Sequence, residues 1–155
     1  MTRGKAVFLL VAMGMALGFG SLLSDVPVEL LLSKGAEVDA KDVYERTPLH
    51  YAVQQGSMGV IEMLLSKGAE VNARDNDGGT PLHYAVATDY PDKAELLLKK
   101  GAEVNAKTDN GKTPLDLAKT STMKALLLKY GAKYWRPGRP RRLWPSFPFR
   151  PPLAL

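Results

Sequence analysis

The chain is 155 residues long, 45% hydrophobic and 24% charged, with 21 Lys and Arg against 16 Asp and Glu, the size of one ordinary soluble domain with tails. It contains no cysteine, which excludes disulfides and thiol chemistry. The net charge of +5 is carried by the ends, at +2 for residues 1–24, −3 for 25–132 and +6 for 133–155, so the bulk basicity does not indicate a nucleic-acid-binding domain.

Residues 1–24 open with Arg3 and Lys5, continue as an apolar run from Ala6 to Gly20 and close on Ser21-Leu22-Leu23-Ser24. That order fits a secretory signal peptide, with Gly18 and Gly20 flanking a cut after Gly20. An uncleaved anchor is the second reading: the 18 residues from Ala6 to Leu23 would make a helix of roughly 27 Å, slightly short of a ~30 Å hydrocarbon core. Both readings put the rest of the chain outside the cytoplasm, periplasmic or secreted if the leader is cut and membrane-anchored if it is not. In a third reading the run is a helix of the first structural unit, against which stands its lack of a polar face.

The body of the chain, residues 25–132, is periodic. Thr47-Pro48-Leu49-His50-Tyr51-Ala52-Val53 returns unchanged at Thr80, 33 residues later, and in part at Thr113-Pro114-Leu115-Asp116-Leu117-Ala118. Gly35-Ala36, Gly68-Ala69 and Gly101-Ala102 keep the same beat, and Gly131-Ala132 follows 30 residues after its predecessor. Each threonine suits an N-cap whose hydroxyl accepts a free backbone N–H, with proline at the first helical position. A short helix then runs to about Gly56 in the second unit, where glycine ends it. A second helix follows in each unit, through Val60–Lys67 and Lys93–Lys100, with leucines toward the stack and lysines in the last turn. Asp77-Gly78 and Asn110-Gly111 predict tight turns. The first turn carries Tyr44-Glu45 instead of a glycine, which predicts a strained or differently shaped turn.

Together, Thr-Pro-Leu-His-x-Ala, Leu-Leu-x-x-Gly-Ala-x-Val-Asn-Ala and the 33-residue period resemble ankyrin repeats. The resemblance covers residues 25–132. It implies an all-α solenoid of antiparallel helix pairs with β-hairpin-like loops, about three and a half repeats long. Residues 25–46 are a half repeat, 47–79 and 80–112 full repeats, and 113–132 a shortened last one. Stacks need about three repeats to be stable, so this body is near the minimum.

The resemblance also implies a protein partner gripped by loop tips and by the exposed side of the first helices. Carried over by position, the tip residues are Val43, Tyr44 and Arg46 in the first loop. The second loop offers Asn76, Asp77 and Gly79, and the third Asp109, Asn110 and Lys112. On the helices the positions are Gln54 and Gln55, then Ala87 and Thr88. Tyr44 and Arg46 are the foremost of these, because aromatic and arginine side chains dominate interface hot spots. His50 and His83, the only histidines, are a repeat apart with no third ligand, so no metal is expected. In the family this histidine hydrogen-bonds around the threonine cap and to the adjoining loop. Tyr51 and Tyr84 repeat in register, as packing residues do. Asp89 and Asp92 read as a solvated inter-helix turn with a helix starting at Asp92. No nucleophile–base pattern, phosphate loop or zinc motif occurs, so no enzyme, cofactor or small-molecule substrate is expected.

The tail, residues 133–155, holds both tryptophans and six of the eleven prolines, too many for a helix or a paired strand to persist. Arg142-Leu143-Trp144-Pro145-Ser146-Phe147-Pro148 fits a proline-motif docking pattern. Its arginines and aromatics equally suit an anionic membrane or nucleic acid, and an unstructured extension is the plainest reading. Trp135 stands where it would fold back over the last repeat. A membrane-associated adaptor, held by residues 6–23 or by this tail, is therefore the alternative to an exported binding module.

Overall fold

A computed structural model of the protein describes residues 37–55 and 57–134. The apolar run, the first part of the half repeat, the Gly56 stop and the tail from Trp135 onward lie outside the described residues. Among the described residues six helices follow in chain order: α1 Pro48–Gln55, α2 Met58–Ser66, α3 Pro81–Ala87, α4 Pro91–Lys99, α5 Pro114–Leu117 and α6 Ser121–Lys129. No strand occurs among the described residues. The helices pair as α1 with α2, α3 with α4 and α5 with α6, while α1, α3 and α5 pack side by side along the stack. This is the expected all-α solenoid.

The start and stop signals act where the repeat places them. Thr80 and Thr113 are extended, at ψ 163° and 162°, and proline opens the helix behind each. Ser57 and Thr120 cap α2 and α6 through their side-chain oxygens. α4 begins at Pro91, one residue before Asp92, which sits in its first turn. At the end of α4, Gly101 N–H donates to Leu98 carbonyl and Ala102 N–H to Leu97 carbonyl, the paired bonds of a Schellman stop around a left-handed glycine at φ 94°. The three residues missing from the last repeat come off the end of α5, four residues long against seven in α3.

Equivalent positions fill the core. Leu49, Leu82 and Leu115, then Ala52, Ala85 and Ala118, then Leu64, Leu97 and Leu127 are all buried in one continuous cluster. At about 25 cal/mol per Å² of apolar surface, that shared core rather than helix propensity holds such short helices, which would be marginal in isolation.

Two sets of bonds tie each unit to the next. Asn72 accepts the Glu103 N–H at Oδ1 (2.8 Å) and donates through Nδ2 to the Gly101 carbonyl (3.2 Å). Asn105 does the same with Lys133 N–H (2.8 Å) and the Gly131 carbonyl (3.1 Å). Asp39 holds this place in the half repeat and accepts the Glu70 N–H at 2.9 Å, but a carboxylate has no N–H for the Gly68 carbonyl. Between loop tips, Asn76 N–H donates to the Tyr44 carbonyl (3.0 Å) and Asp109 N–H to the Asp77 carbonyl (2.9 Å).

The first turn is strained but not differently shaped. All three turns close with the same bonds, Asp42 N–H to Arg46 carbonyl, Asp75 to Gly79 and Thr108 to Lys112. The left-handed position is Gly78 at φ 71°, Gly111 at φ 74° and, in the first turn, Glu45 at φ 58°. A residue with a Cβ costs roughly 1–2 kcal/mol there.

Asp39→Asn should supply the donor that Asn72 and Asn105 already provide. Urea unfolding of the variant is expected to show a gain of about 0.5–1.5 kcal/mol; an unchanged midpoint would mean the Gly68 carbonyl is equally well served by water.

Candidate partner-binding surface

The loops owe their shape to an aspartate that opens each of the first two turns. Asp42 Oδ1 accepts the Tyr44 and Arg46 N–H groups, both at 2.8 Å, and Asp75 Oδ1 accepts those of Asp77 (3.0 Å) and Gly79 (2.7 Å). The other carboxylate oxygen takes a tyrosine hydroxyl from the following helix, Tyr51 at 2.9 Å and Tyr84 at 2.7 Å. Burial favours the neutral acid at Asp42, but these donors outweigh it and hold its carboxyl below the usual value of 3.8. Burial, reinforced by the bond to Asp42, pushes the Tyr51 hydroxyl up to about 12. Tyr84 is raised for the same two reasons, with Asp75 as its partner.

Behind the turn, a histidine joins two repeats. The Thr47 N–H and hydroxyl lie 3.1 and 3.0 Å from His50 Nδ1. A backbone N–H only donates, so Nδ1 is the bare nitrogen and Nε2 carries the proton. Nε2 then donates to the carbonyl of Gly79 in the next loop at 3.2 Å. His83 repeats this with Thr80 N–H (3.1 Å), its hydroxyl (2.9 Å) and the Lys112 carbonyl (3.2 Å). The caps are thus reciprocal, the side chain three positions on accepting the threonine N–H while the threonine side chain faces that residue's backbone N–H at Thr80 and Thr113. In the last repeat Asp116 Oδ2 accepts the Thr113 N–H and hydroxyl, both at 2.8 Å, and has no second arm to send onward.

Of the positions carried over by resemblance, only some face outward. Val43 is 84% and Tyr44 58% exposed, adjacent at the first tip. Asp77, Asp109, Asn110 and Lys112 are exposed, as are Gln55 and Ala87, while Gln54 is half-buried. Asn76 is exposed but spends its N–H on Tyr44 and its amide on the Val43 carbonyl at 3.3 Å. Gly79 is buried, its N–H on Asp75 and its carbonyl on His50. The Thr88 hydroxyl turns back to the Tyr84 carbonyl at 2.8 Å, ending α3. Arg46 is the largest departure from expectation. Its guanidinium lies over the rings of Tyr44 (4.7 Å) and Tyr51 (4.6 Å) and bonds Asp42 Oδ2 through Nε (3.2 Å) and Nη2 (3.1 Å). It fastens the loop to the helix.

Sequence reasoning missed two features that the internal repeat could have disclosed. Asp and Tyr occur together at 42 and 51 and at 75 and 84, and both are replaced in the third copy, by Thr108 and Leu117. Joint loss marks a bonded couple. Lys93 stands in register with Val60 and Met123, both fully buried, and is itself only 9% exposed. Its Nζ donates to the Val53 carbonyl in the last turn of α1 at 3.0 Å and lies 4.2 Å from the Tyr90 ring centroid. Among the described residues no group of acidic, histidine or cysteine side chains could hold a metal, and no helix is long and apolar enough to cross a membrane.

A family model described as ankyrin repeats (3 copies) matches residues 13–108 and again 74–137. A stretch of 33 residues, 21% of the chain, is 54% identical to an ankyrin repeat protein of fowlpox virus (strain NVSL), of which it covers 5%. The chain thus spans a small part of that relative's length.

The histidine relay carries a pH signature. Burial lowers the pKa of both imidazoles below 6.5, against the opposing pull of their carbonyl partners. The folded state therefore holds them neutral, and their contribution is complete above the unfolded value of about 6.5 and falls as pH drops toward the lowered folded value. Urea unfolding should lose up to about 1.4 kcal/mol per pH unit for each histidine in that window, well above the acid range where Asp42 titrates. A flat stability between about pH 7.5 and 5 would contradict neutral, buried imidazoles.

Proposed function

The chain belongs to the ankyrin repeat family, whose members are generally non-catalytic interaction modules, and on that footing we propose that it binds a protein partner chiefly through the first loop tip. The observation that carries this reading is the pairing of Val43 and Tyr44, large apolar side chains 84% and 58% exposed on a backbone pinned from several sides. Asp42 bonds two of its N–H groups, Arg46 clamps it and Asn76 holds it from the next loop. A rigid tip loses little conformational entropy on binding, which raises affinity for a given contact area. The polar tips at Asp77, Asp109, Asn110 and Lys112, and Gln54, Gln55 and Ala87 on the helices, then form the rim. Arg46 supports the tip instead of meeting the partner.

Where the module works turns on residues 1–24. Their basic-then-apolar order supports export or anchoring.

Val43→Ser/Tyr44→Ala should lower the melting temperature far less than Arg46→Ala does and cost at least about 2 kcal/mol of binding, a drop of more than tenfold in partner recovery by affinity purification. Arg46→Ala should instead lower thermal stability, since it unties the loop. If no partner's recovery responds to the Val43/Tyr44 change, the contact surface lies elsewhere.

A further inference from the structure

The last helix pair differs in charge from the one before it. In register with the preceding repeat, Asp92, Glu95 and Glu103 are replaced by Thr122, Ala125 and Lys133. From Leu117 to Tyr134 the chain therefore holds Lys119, Lys124, Lys129 and Lys133 and no acid. Lys129 turns back to Glu95 at 3.9 Å, an acid that Lys99 already holds at 3.3 Å. Among the described residues no carboxylate pairs with Lys119, Lys124 or Lys133. The same end of the stack also exposes apolar surface. In the preceding repeat Ala94 is fully buried, Leu98 is 7% exposed and Val104 packs partly buried against the core. Their counterparts are Lys124, half-buried, Leu128, 42% exposed, and Tyr134, 62% exposed. Lys124 and Leu128 stand four residues apart on α6, so charge and apolar surface share one face.

We propose that this end face, formed by Lys119, Lys124, Leu128, Lys133 and Tyr134, rests on an anionic lipid surface. A terminal repeat that needs only solubility presents a polar outer face, and charges of both signs serve that purpose. Two large apolar side chains among lysines of one sign work against it. They suit the membrane interface instead. Tyrosine sits there at headgroup level, lysine stems lie along apolar surface with the ammonium in water, and anionic headgroups add to what apolar burial supplies. The basic residues of this face are all lysine, whereas recognition of nucleic acid and of carboxylates favours the planar fork of arginine. The two arginines among the described residues belong to the loops of earlier repeats, Arg46 bonded to Asp42 and Arg74 beside Asp109. Val43 and Tyr44 stand at the other end of the described stack, so a chain resting on lipid by its last repeat keeps its partner tip in solution.

Co-sedimentation of the full chain with lipid vesicles tests this. The chain should partition more strongly onto an equal mixture of phosphatidylserine and phosphatidylcholine than onto phosphatidylcholine alone. Lys124→Glu/Lys133→Glu should lower partitioning onto the anionic vesicles by more than about tenfold, and Leu128→Ser/Tyr134→Ser should lower it several-fold. Lys41→Glu/Lys67→Glu, the same change in net charge at the other end of the described stack, should have little effect. Lys124→Gln/Lys133→Gln replaces the charge reversal if that chain does not accumulate, with the same direction of change. Equal partitioning onto both kinds of vesicle, or an equal loss from the two charge-reversed pairs, would overturn the assignment. So would binding to polyglutamate with none to vesicles, which would give the face to an acidic protein. None of these readouts depends on Val43 or Tyr44, so the partner reading stands or falls separately.

Discussion

Each imidazole in this chain serves two repeats at once. His50 takes the N–H and hydroxyl of Thr47 on one nitrogen and gives the proton of the other to the Gly79 carbonyl, and His83 links Thr80 to Lys112 in the same way. Both rings are nearly inaccessible, at 1% and 3% exposure. The Gly79 and Lys112 carbonyls already close their own turns by accepting the Asp75 and Thr108 N–H groups, so the ring adds a second bond to each, one that joins the helix of one repeat to the loop of the next. Its acceptor holds the start of one helix and its donor holds the next loop beside it. The turn aspartates, the tyrosine hydroxyls and the tip-to-tip bonds brace the same loops.

In a repeat protein, stability is close to a sum of unit terms and nearest-neighbour terms, and here the neighbour terms fade toward the C-terminal end. The relay crosses twice and then stops, because Asp116 satisfies its threonine without reaching onward. The Asp–Tyr couple stops at the same repeat, where Thr108 and Leu117 replace both partners and Thr108 Oγ1 accepts only the Lys112 N–H at 3.1 Å. Asn105 still bonds Lys133 and Gly131, so the outer edge of the last pair is held. The exposed apolar tip lies at the opposite, better-braced end of the described stack. A well-braced scaffold beneath exposed apolar side chains is what the proposed binding surface needs.

Much of this was legible in the repeat. A period of 33 with Thr-Pro at one landmark and Gly-Ala at another gives helix starts, helix stops and the core leucines, because caps and backbone conformations depend on local residue type. The stepwise loss at Thr113–Ala132 likewise reads directly as a shortened unit. The site was only half legible. Val43 and Tyr44 face solvent as their loop position implied, but Arg46 did not fit the same logic. An arginine beside a tyrosine resembles an interface pair until Asp42 and Tyr51, four residues before it and five after, are seen to close around it. Position in a repeat reports where the backbone goes; which side chain is already engaged depends on neighbours brought together by folding. Lys93 shows the same limit, since its amphipathic stem lets a charged residue take a core position once a helix-end carbonyl is within reach.

The tautomer of the two histidines tests the account at its base. Nitrogen-15 chemical shifts of the imidazoles in the folded chain at about neutral pH should show Nε2 protonated and Nδ1 bare in both His50 and His83, with each ring titrating below its free value of 6.5. Rings protonated on Nδ1, or doubly protonated at neutral pH, would leave the threonine N–H groups without an acceptor and would contradict the relay on which the stack is built.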